Sequence, residues 1–217
     1  AKLFESWGFA KDMDLYAFDL NAAELDEQRY GRASAYAMKK FNFRIDRFDK
    51  RNLEREIRDI KRILDQAMPE SWGHLTPPPL EEIRKEFSYL KRFMDENLVY
   101  IARSGNEPIG FIVALPDYNQ VLAHLDGKLF PFGFFKYLWY KRRINGARIF
   151  IQFVIPAFHN KAVTGAMYHR LIIEGRKKGY IRGEGSTIAE MNTESIRSVE
   201  GLGGKLYRIY RIFRKHI

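Results

Sequence analysis

"VIPAFHNKAVTGAMYHRL", residues 154–171, starts as a strand that ends at a proline, passes through a short polar loop and continues as a helix rich in apolar residues. Connections of this shape cradle phosphate groups, because the first N–H groups of a helix have no partner within it and sit at the positive end of its dipole. Such loops normally carry several glycines, which let the backbone turn left-handed or approach a ligand closely. This stretch holds only Gly165. The residues on either side decide whether it belongs to a phosphate-binding fold or only shares its outline.

Downstream the rhythm is regular: a strand "RIFIQFVIP" (148–156), a helix 164–178, a strand 180–190, a helix 194–202 and a strand 204–214. Ile149, Ile151 and Phe153 point one way along the first strand, Phe150 and Val154 the other. A strand apolar on both faces is expected inside a sheet. The helix after it ends in "RKKG", with basic residues in its last turn and Gly179 placed to cap it. Upstream, "FNFRIDRFD" (41–49) alternates like a half-exposed strand. Leu53, Ile57, Ile60, Leu64 and Ala67 then form one stripe of a helix over 52–67, with Arg55, Arg58 and Lys61 in water. "PESWGHLTPPP" (69–79) breaks it, and a second helix follows over 80–94 with Leu80, Ile83, Phe87, Leu90 and Met94 on its inner side. "LVYIAR" and "PIGFIVAL" are strands joined through "SGNE" as a hairpin. Residues 117–147 show no clear period. The order βααββ, an irregular stretch, then βαβαβ predicts an α/β (α+β) fold with a mixed, mostly antiparallel sheet and helices on both faces.

A chain of 217 residues with 46% apolar content has enough material for a real core. Its net charge of +10 favours anionic partners, whether nucleic acid, lipid headgroups or a phosphate-bearing cofactor. The absence of cysteine removes thiolate nucleophiles and Cys-based zinc sites and suits a reducing compartment. His74, His124, His159, His169 and His216 show no metal-ligand spacing, so no metal site is expected. The longest apolar run is about half of the roughly 20 residues that span a bilayer. These features predict a soluble, cytoplasmic protein.

The element order, taken with particular residues over 41–217, resembles the GNAT superfamily of acyl-CoA-dependent N-acyltransferases. There the fourth strand runs into "V-x-P-x-Y-R-G-x-G-I-G-x-A-L", whose backbone N–H groups and following helix hold the pyrophosphate of coenzyme A. This chain has Val154, Pro156, Phe158 for Tyr, His159 for Arg, Asn160 for the first Gly, Lys161, then Ala162 and Thr164 for the other two glycines, with Ala166 and Met167 following. The later pattern "N-x-x-A-x-x-L-Y-E-K-L-G-F" is matched by "NTESIRSVEGLGG", with Asn192, Leu202 and Gly203 in register. More narrowly, "GFIVALPDYNQVL", "GKLFPFG" and "GGKLYRIYRIF" resemble a bacterial group with two GNAT-like domains in tandem. The resemblance implies acetyl-CoA or another acyl-CoA as co-substrate and a small-molecule or peptide amine as acceptor. It places Phe153, Val154, His159, Asn160, Lys161, Ala162, Val163, Thr164, Gly165, Ala166 and Asn192 at the cofactor. Ala162 costs little if its φ is negative, and Thr164, whose β-branch resists a left-handed turn, is expected to cap the helix and meet a phosphate oxygen.

"ESWGFAKDMDLYAFDL" (5–20) and "EGLGGKLYRIYRIFRK" (200–215) share a glycine after a large apolar residue and then an alternating aromatic strand. Residues 1–40 are accordingly expected to be the tail of a preceding GNAT-like domain plus a linker, with 41–217 as the domain proper.

Amine acylation calls for a base at the nucleophile and often an acid at the departing thiolate. Many GNAT enzymes use a Tyr seven residues after the Asn of their later pattern, where this chain has Val199; the fourth strand offers Gln152, an amide. Glu190, at the end of the fifth strand, and Tyr207 or Tyr210 on the last strand are the remaining candidates. An acyl-CoA-dependent N-acyltransferase is therefore expected, the alternative being a catalytically silent GNAT-like module that binds a protein partner or an anionic surface. "KLFPFGFFKYLWYKRRIN" (128–145) packs seven aromatics ahead of Lys141, Arg142 and Arg143. Pro131 and Gly133 argue against one continuous amphipathic helix, so these rings are expected to cover the core of the sheet. A membrane patch, a stacking surface for single-stranded nucleic acid and the wall of an acyl or acceptor pocket are the other readings. In "LPDYN" (115–119), Asp117 and Asn119 either border that cleft or cap the next helix.

Overall fold

A computed structural model describes residues 1–68, 76–128 and 130–215. His74, Leu129, His216 and most of the expected break after residue 68 lie outside these residues.

The chain opens with a short helix α1 (Lys2–Ser6) and a long strand β1 (Ala10–Asn21), followed by helix α2 (Glu27–Lys40), which Asp26 caps by accepting from the Arg29 N–H at 2.9 Å. Strand β2 (Arg44–Arg47) leads to helix α3 (Leu53–Ala67) and helix α4 (Leu80–Leu90). Strands β3 (Val99–Ser104) and β4 (Glu107–Pro116) form the expected hairpin, with Gly105 at φ +58 in its turn. The irregular region contains helices α5 (Asn119–Leu122) and α6 (Gly133–Lys141). Strand β5 (Gly146–Val154), helix α7 (Val163–Lys177), strand β6 (Arg182–Ala189), helix α8 (Thr193–Gly201) and strand β7 (Lys205–Arg214) complete it.

Seven strands make one sheet in the order β2-β3-β4-β5-β6-β1-β7, antiparallel throughout except for the parallel pair β5 and β6. Helices α3 and α4 lie on one face, α7 and α2 on the other. Ile57, Ile60, Ile63 and Leu64 of α3 are all buried, each contributing about 1.5–3 kcal/mol of transfer free energy. Strands β3 and β4, covered on both faces, are buried over almost their whole length. One ionic group is sealed in with them. Arg103, 3% exposed, donates to Asp59 at 2.7 Å, Glu56 at 2.8 Å and Asp46 at 3.1 Å, joining β3 to α3 and β2. Burial raises the Glu56 carboxyl above its ordinary range, against the pull of the Arg103 charge.

Ala10–Asn21 is hydrogen-bonded on both edges inside this sheet, between β6 and β7. Ala17 and Phe18 are 0% and 1% exposed there. The strand expected inside the sheet lies there, between β4 and β6; it ends at Val154 and leaves Phe150 exposed. The aromatics after residue 129 do not cover the core: Phe130, Phe132, Phe134, Phe135 and Trp139 face outward, and α6 is a regular helix begun just after Pro131.

Candidate functional site

The parting of two strands creates the site. β5 and β6 pair in parallel only from Gly146 with Arg182 to Ile149 with Gly185. Beyond that point β5 stays with β4 as far as Val154, while β6 keeps company with β1 through Ile188 and Ala189. The wedge between them opens a cleft of about 410 Å³ whose lining includes Met13, Leu15, Ile149, Ile151, Phe153 and Ile188. A second cleft, of about 390 Å³, runs under the start of α7 and α8 past Val154, His159, Thr164 and Glu194. The two share Gln152, Phe153, Asn192 and Ser195. The result is one furrow with an apolar end in the sheet and a polar end at two helix N-termini.

At the polar end the backbone takes the shape for which glycine is usually required. Asn160 has φ 59 and Ala162 φ 58, both left-handed. Asn tolerates this conformation through its short polar side chain, whereas an alanine there bears roughly 1–2 kcal/mol of strain. Ala162 is therefore not the inexpensive, negative-φ residue anticipated. It is the N-cap of α7 and makes no side-chain capping bond; Thr164 lies one residue inside the helix, where its β-branch meets no left-handed turn, and does not serve as the cap. The Ala166 N–H is bonded to the Ala162 carbonyl at 3.0 Å. The N–H groups of Val163, Thr164 and Gly165 have no carbonyl within the helix and point toward its N-terminal end. Val163 and Ala166 are buried, so they can offer a ligand only their backbone. His159 Nε2 is 2.9 Å from the Val154 carbonyl oxygen, and its Nδ1 is 3.9 Å from Glu194. Lys161 Nζ sits 4.4 Å above the Phe158 ring. Asn192 caps α8 by accepting from the Ser195 N–H at 3.1 Å.

The candidate catalytic groups lie apart from this furrow. Glu190 is paired with Lys11 at 2.7 Å and accepts from the Asp14 N–H at 3.1 Å. The Lys11 hydrogen bond holds its carboxyl below the usual range, so at neutral pH it is a weak base that ties β6 to β1. Tyr207 stands half exposed on the edge strand, its phenol raised by partial desolvation and by Glu184. Neither Tyr207 nor Tyr210 lines either cleft. Val199 is fully buried against Gly185 and Gly204. Asp117 accepts from the Asn119 N–H at 3.1 Å, which is the capping role.

One polar group was undervalued in the sequence. The Gln152 side-chain oxygen is buried with no hydrogen-bond partner among the described residues, at the junction of the two clefts. Its amide neighbours the phenol of Tyr168, whose pKa burial drives well above the ordinary tyrosine range. Nothing in a one-dimensional pattern marks Gln152: an amide on a strand gains meaning only once it is known to be sealed in with an acceptor to spare.

The sheet order, the parallel pair that splays and the helix at the mouth of the splay define the GNAT fold, and the chain has it. No family profile matches the chain. In structure it is similar to a GCN5-related N-acetyltransferase from Sphaerobacter thermophilus, with a TM-score of 0.65 and 11% identity over 99% of this chain and 55% of that one. It is also similar to AAC(6')-Iy bound to the bisubstrate analogue CoA-S-monomethyl-acetylneamine, with a TM-score of 0.51 and 18% identity over 81% of this chain and 99% of that one. In sequence it is 30% identical over 97% of its length to a bacterial ceramide synthase of Caulobacter vibrioides, and 28% identical over 98% to the protein YghO of Escherichia coli K12. The chain spans 56% of the length of each.

Proposed function

We propose that the chain is an acyl-CoA-dependent N-acyltransferase and that its acceptor is a lipid amine of the long-chain amino-alcohol type. The observation that carries this reading is the furrow itself: an apolar wedge between β5 and β6 continuous with the start of α7, whose first N–H groups have no partner within the helix. A diphosphate meets the donors of Val163, Thr164 and Gly165 with the Lys161 cation and the His159 ring beside them, so the residues present fit coenzyme A without the usual glycines. The open edge of Phe150–Val154 offers backbone groups to the amides of an extended arm. The acyl chain fits between Met13, Leu15, Ile149 and Ile188. The acceptor class comes from the relative named a ceramide synthase, since a ceramide is the amide of such an amine.

In the reaction the amine nitrogen attacks the thioester carbonyl, a C–N bond replaces the C–S bond, and one proton passes from nitrogen to the leaving thiolate. Gln152 is placed to accept an N–H and orient the nucleophile, but an amide takes no proton. The chain therefore contributes mainly positioning, and proton removal falls to solvent or to substrate deprotonated beforehand. That shortage of a base favours one second reading, a module that binds the acyl thioester or a partner without turnover.

Residues 1–40 fit a lead-in from a preceding GNAT-like unit. Two features support it: β1 and β7, the look-alike segments, lie side by side, and β7 exposes Leu206, Ile209 and Ile212 along the sheet edge. We place the activity in the cytoplasm, where acyl-CoA is held. Among the described residues no helix is long and apolar enough to cross a membrane.

The test is isothermal titration with acyl-CoAs from acetyl to palmitoyl, followed by mass spectrometry of the products with a sphingoid base. Heat without amide formation selects the non-catalytic reading. Neither heat nor amide refutes both acyl transfer and acyl-thioester binding.

A further inference from the structure

We propose that α6 and the turn before it form a docking surface for an anionic lipid bilayer. The observation is independent of whether the furrow transfers acyl groups. From Gly127 to Ala147 the chain has Lys128, Lys136, Lys141, Arg142 and Arg143 and no Asp or Glu. Within that same stretch Phe130 is 77% exposed, Phe132 72%, Phe135 68% and Trp139 60%, with Phe134 and Leu138 also exposed.

The arrangement is that of an interfacial helix. At about 100° per residue, Phe134, Leu138, Phe135 and Trp139 span an arc of roughly 140° on the outer side of α6. Lys141 borders one edge of this arc and Lys136 the other, and Arg142 and Arg143 close its C-terminal end. The opposite side is fixed to the body of the protein. There Tyr140 stacks on His124 at 3.9 Å and Tyr137 on Tyr118 at 6.5 Å. Two tyrosines thus anchor the helix while phenylalanine, leucine and tryptophan are left in water. The preceding turn folds back closely on the start of the helix: Gly133 is buried so tightly that a Cβ would lie 1.9 Å from the Lys128 carbonyl oxygen. Arg143 lies 4.5 Å above the Trp139 ring, so charge and aromatic surface are presented together.

Six exposed apolar side chains on one segment are costly in water and are not explained by packing among the described residues. Charge complementarity selects the occupant. A rim of cations around an apolar arc matches acidic headgroups over acyl chains, with the rings at headgroup depth and the cations at phosphates. A second copy of the chain would bring the same cations face to face.

The experiment is flotation of the 217-residue chain with phosphatidylcholine vesicles, with and without roughly 30 mol% phosphatidylglycerol, at about 0.1 M salt. Retention on the acidic vesicles that weakens at high salt is expected. The double substitution Phe135→Ser with Trp139→Ser should lower the apparent affinity roughly tenfold or more, and Lys141→Gln with Arg142→Gln and Arg143→Gln should remove the preference for acidic vesicles. Both variants change exposed residues, and an unchanged melting temperature confirms that they fold. Equal retention of wild type and variants, no retention at all, or a dimer in sedimentation that these substitutions dissolve would each overturn the proposal. So would salt-sensitive retention of single-stranded RNA that displaces the vesicles.

Discussion

Placing a carboxylate at the second residue of α7 separates the anion-binding reading from plain helix stability. Thr164 lines the polar cleft and lies in the first turn, so Thr164→Glu sets a negative charge beside the N–H groups of residues 163–165. For the free protein this is favourable, because an acidic side chain near a helix N-terminus gains about 0.3–1 kcal/mol from the dipole. For a protein holding a diphosphate it is unfavourable. Two charges about 6 Å from the carboxylate, at an effective dielectric of about 40, repel it by roughly 2.8 kcal/mol, a loss of about 100-fold in affinity. The two readouts therefore move in opposite directions: the melting temperature holds or rises while acyl-CoA binding, followed by titration calorimetry, collapses. Thr164→Gln has the same reach without the charge and should bind nearly as wild type. If Thr164→Glu binds as tightly as Thr164→Gln, the diphosphate does not sit at this helix. A fall in melting temperature for the Glu variant alone would show that the N-terminus is not open to solvent as described.

Four further outcomes follow from the packing. Ala162→Gly relieves a left-handed alanine while loosening the unfolded chain, so we expect stability within about 1 kcal/mol of wild type or higher, with acyl-CoA affinity kept; a loss above that would mean the loop needs the methyl group. Phe18→Ala, in the strand between β6 and β7, should cost about 3–5 kcal/mol in urea denaturation, whereas a peripheral strand would lose less than 1. Arg103→Ala leaves Glu56 and Asp59 buried without their cation and should cost about 3–5 kcal/mol near pH 7, less at acid pH as Glu56, already raised by burial, takes up its proton. Asp14 is held at a pKa of about 2, first by its hydrogen bond to Arg211. Its folded pKa is depressed, so its contribution is full above the ordinary carboxylate range and is lost as pH falls toward 2; Asp14→Asn should flatten that part of the urea midpoint against pH.

Much of the architecture was written locally. The stripe on α3, the hairpin turn at Gly105 and the strand-loop-helix at 154–171 depend on residues within a few positions of one another, so periodicity and turn chemistry disclose them from the chain alone. Four decisive features do not have that locality. β1 finds its place between two strands that lie some 170 and more residues onward, as in the pairing of Leu15 with Ala189 and with Tyr210, and no pattern within Ala10–Asn21 names those partners. The furrow exists because β5 and β6 stop pairing after Ile149, where the register of β5 against β4 shifts and β6 continues beside β1, partners that lie far apart in the chain. The left-handed turn at Ala162 opposes alanine's own preference and is imposed by the helix and strand it joins. The aromatic run at 128–145 holds enough apolar surface to fill a core, and only the finished sheet, already covered by α3 and α4 on one face and α2 and α7 on the other, leaves it outside. Composition and spacing thus settle which elements form. Burial and strand pairing, which depend on contacts distant in the chain, settle where the ligand surfaces are.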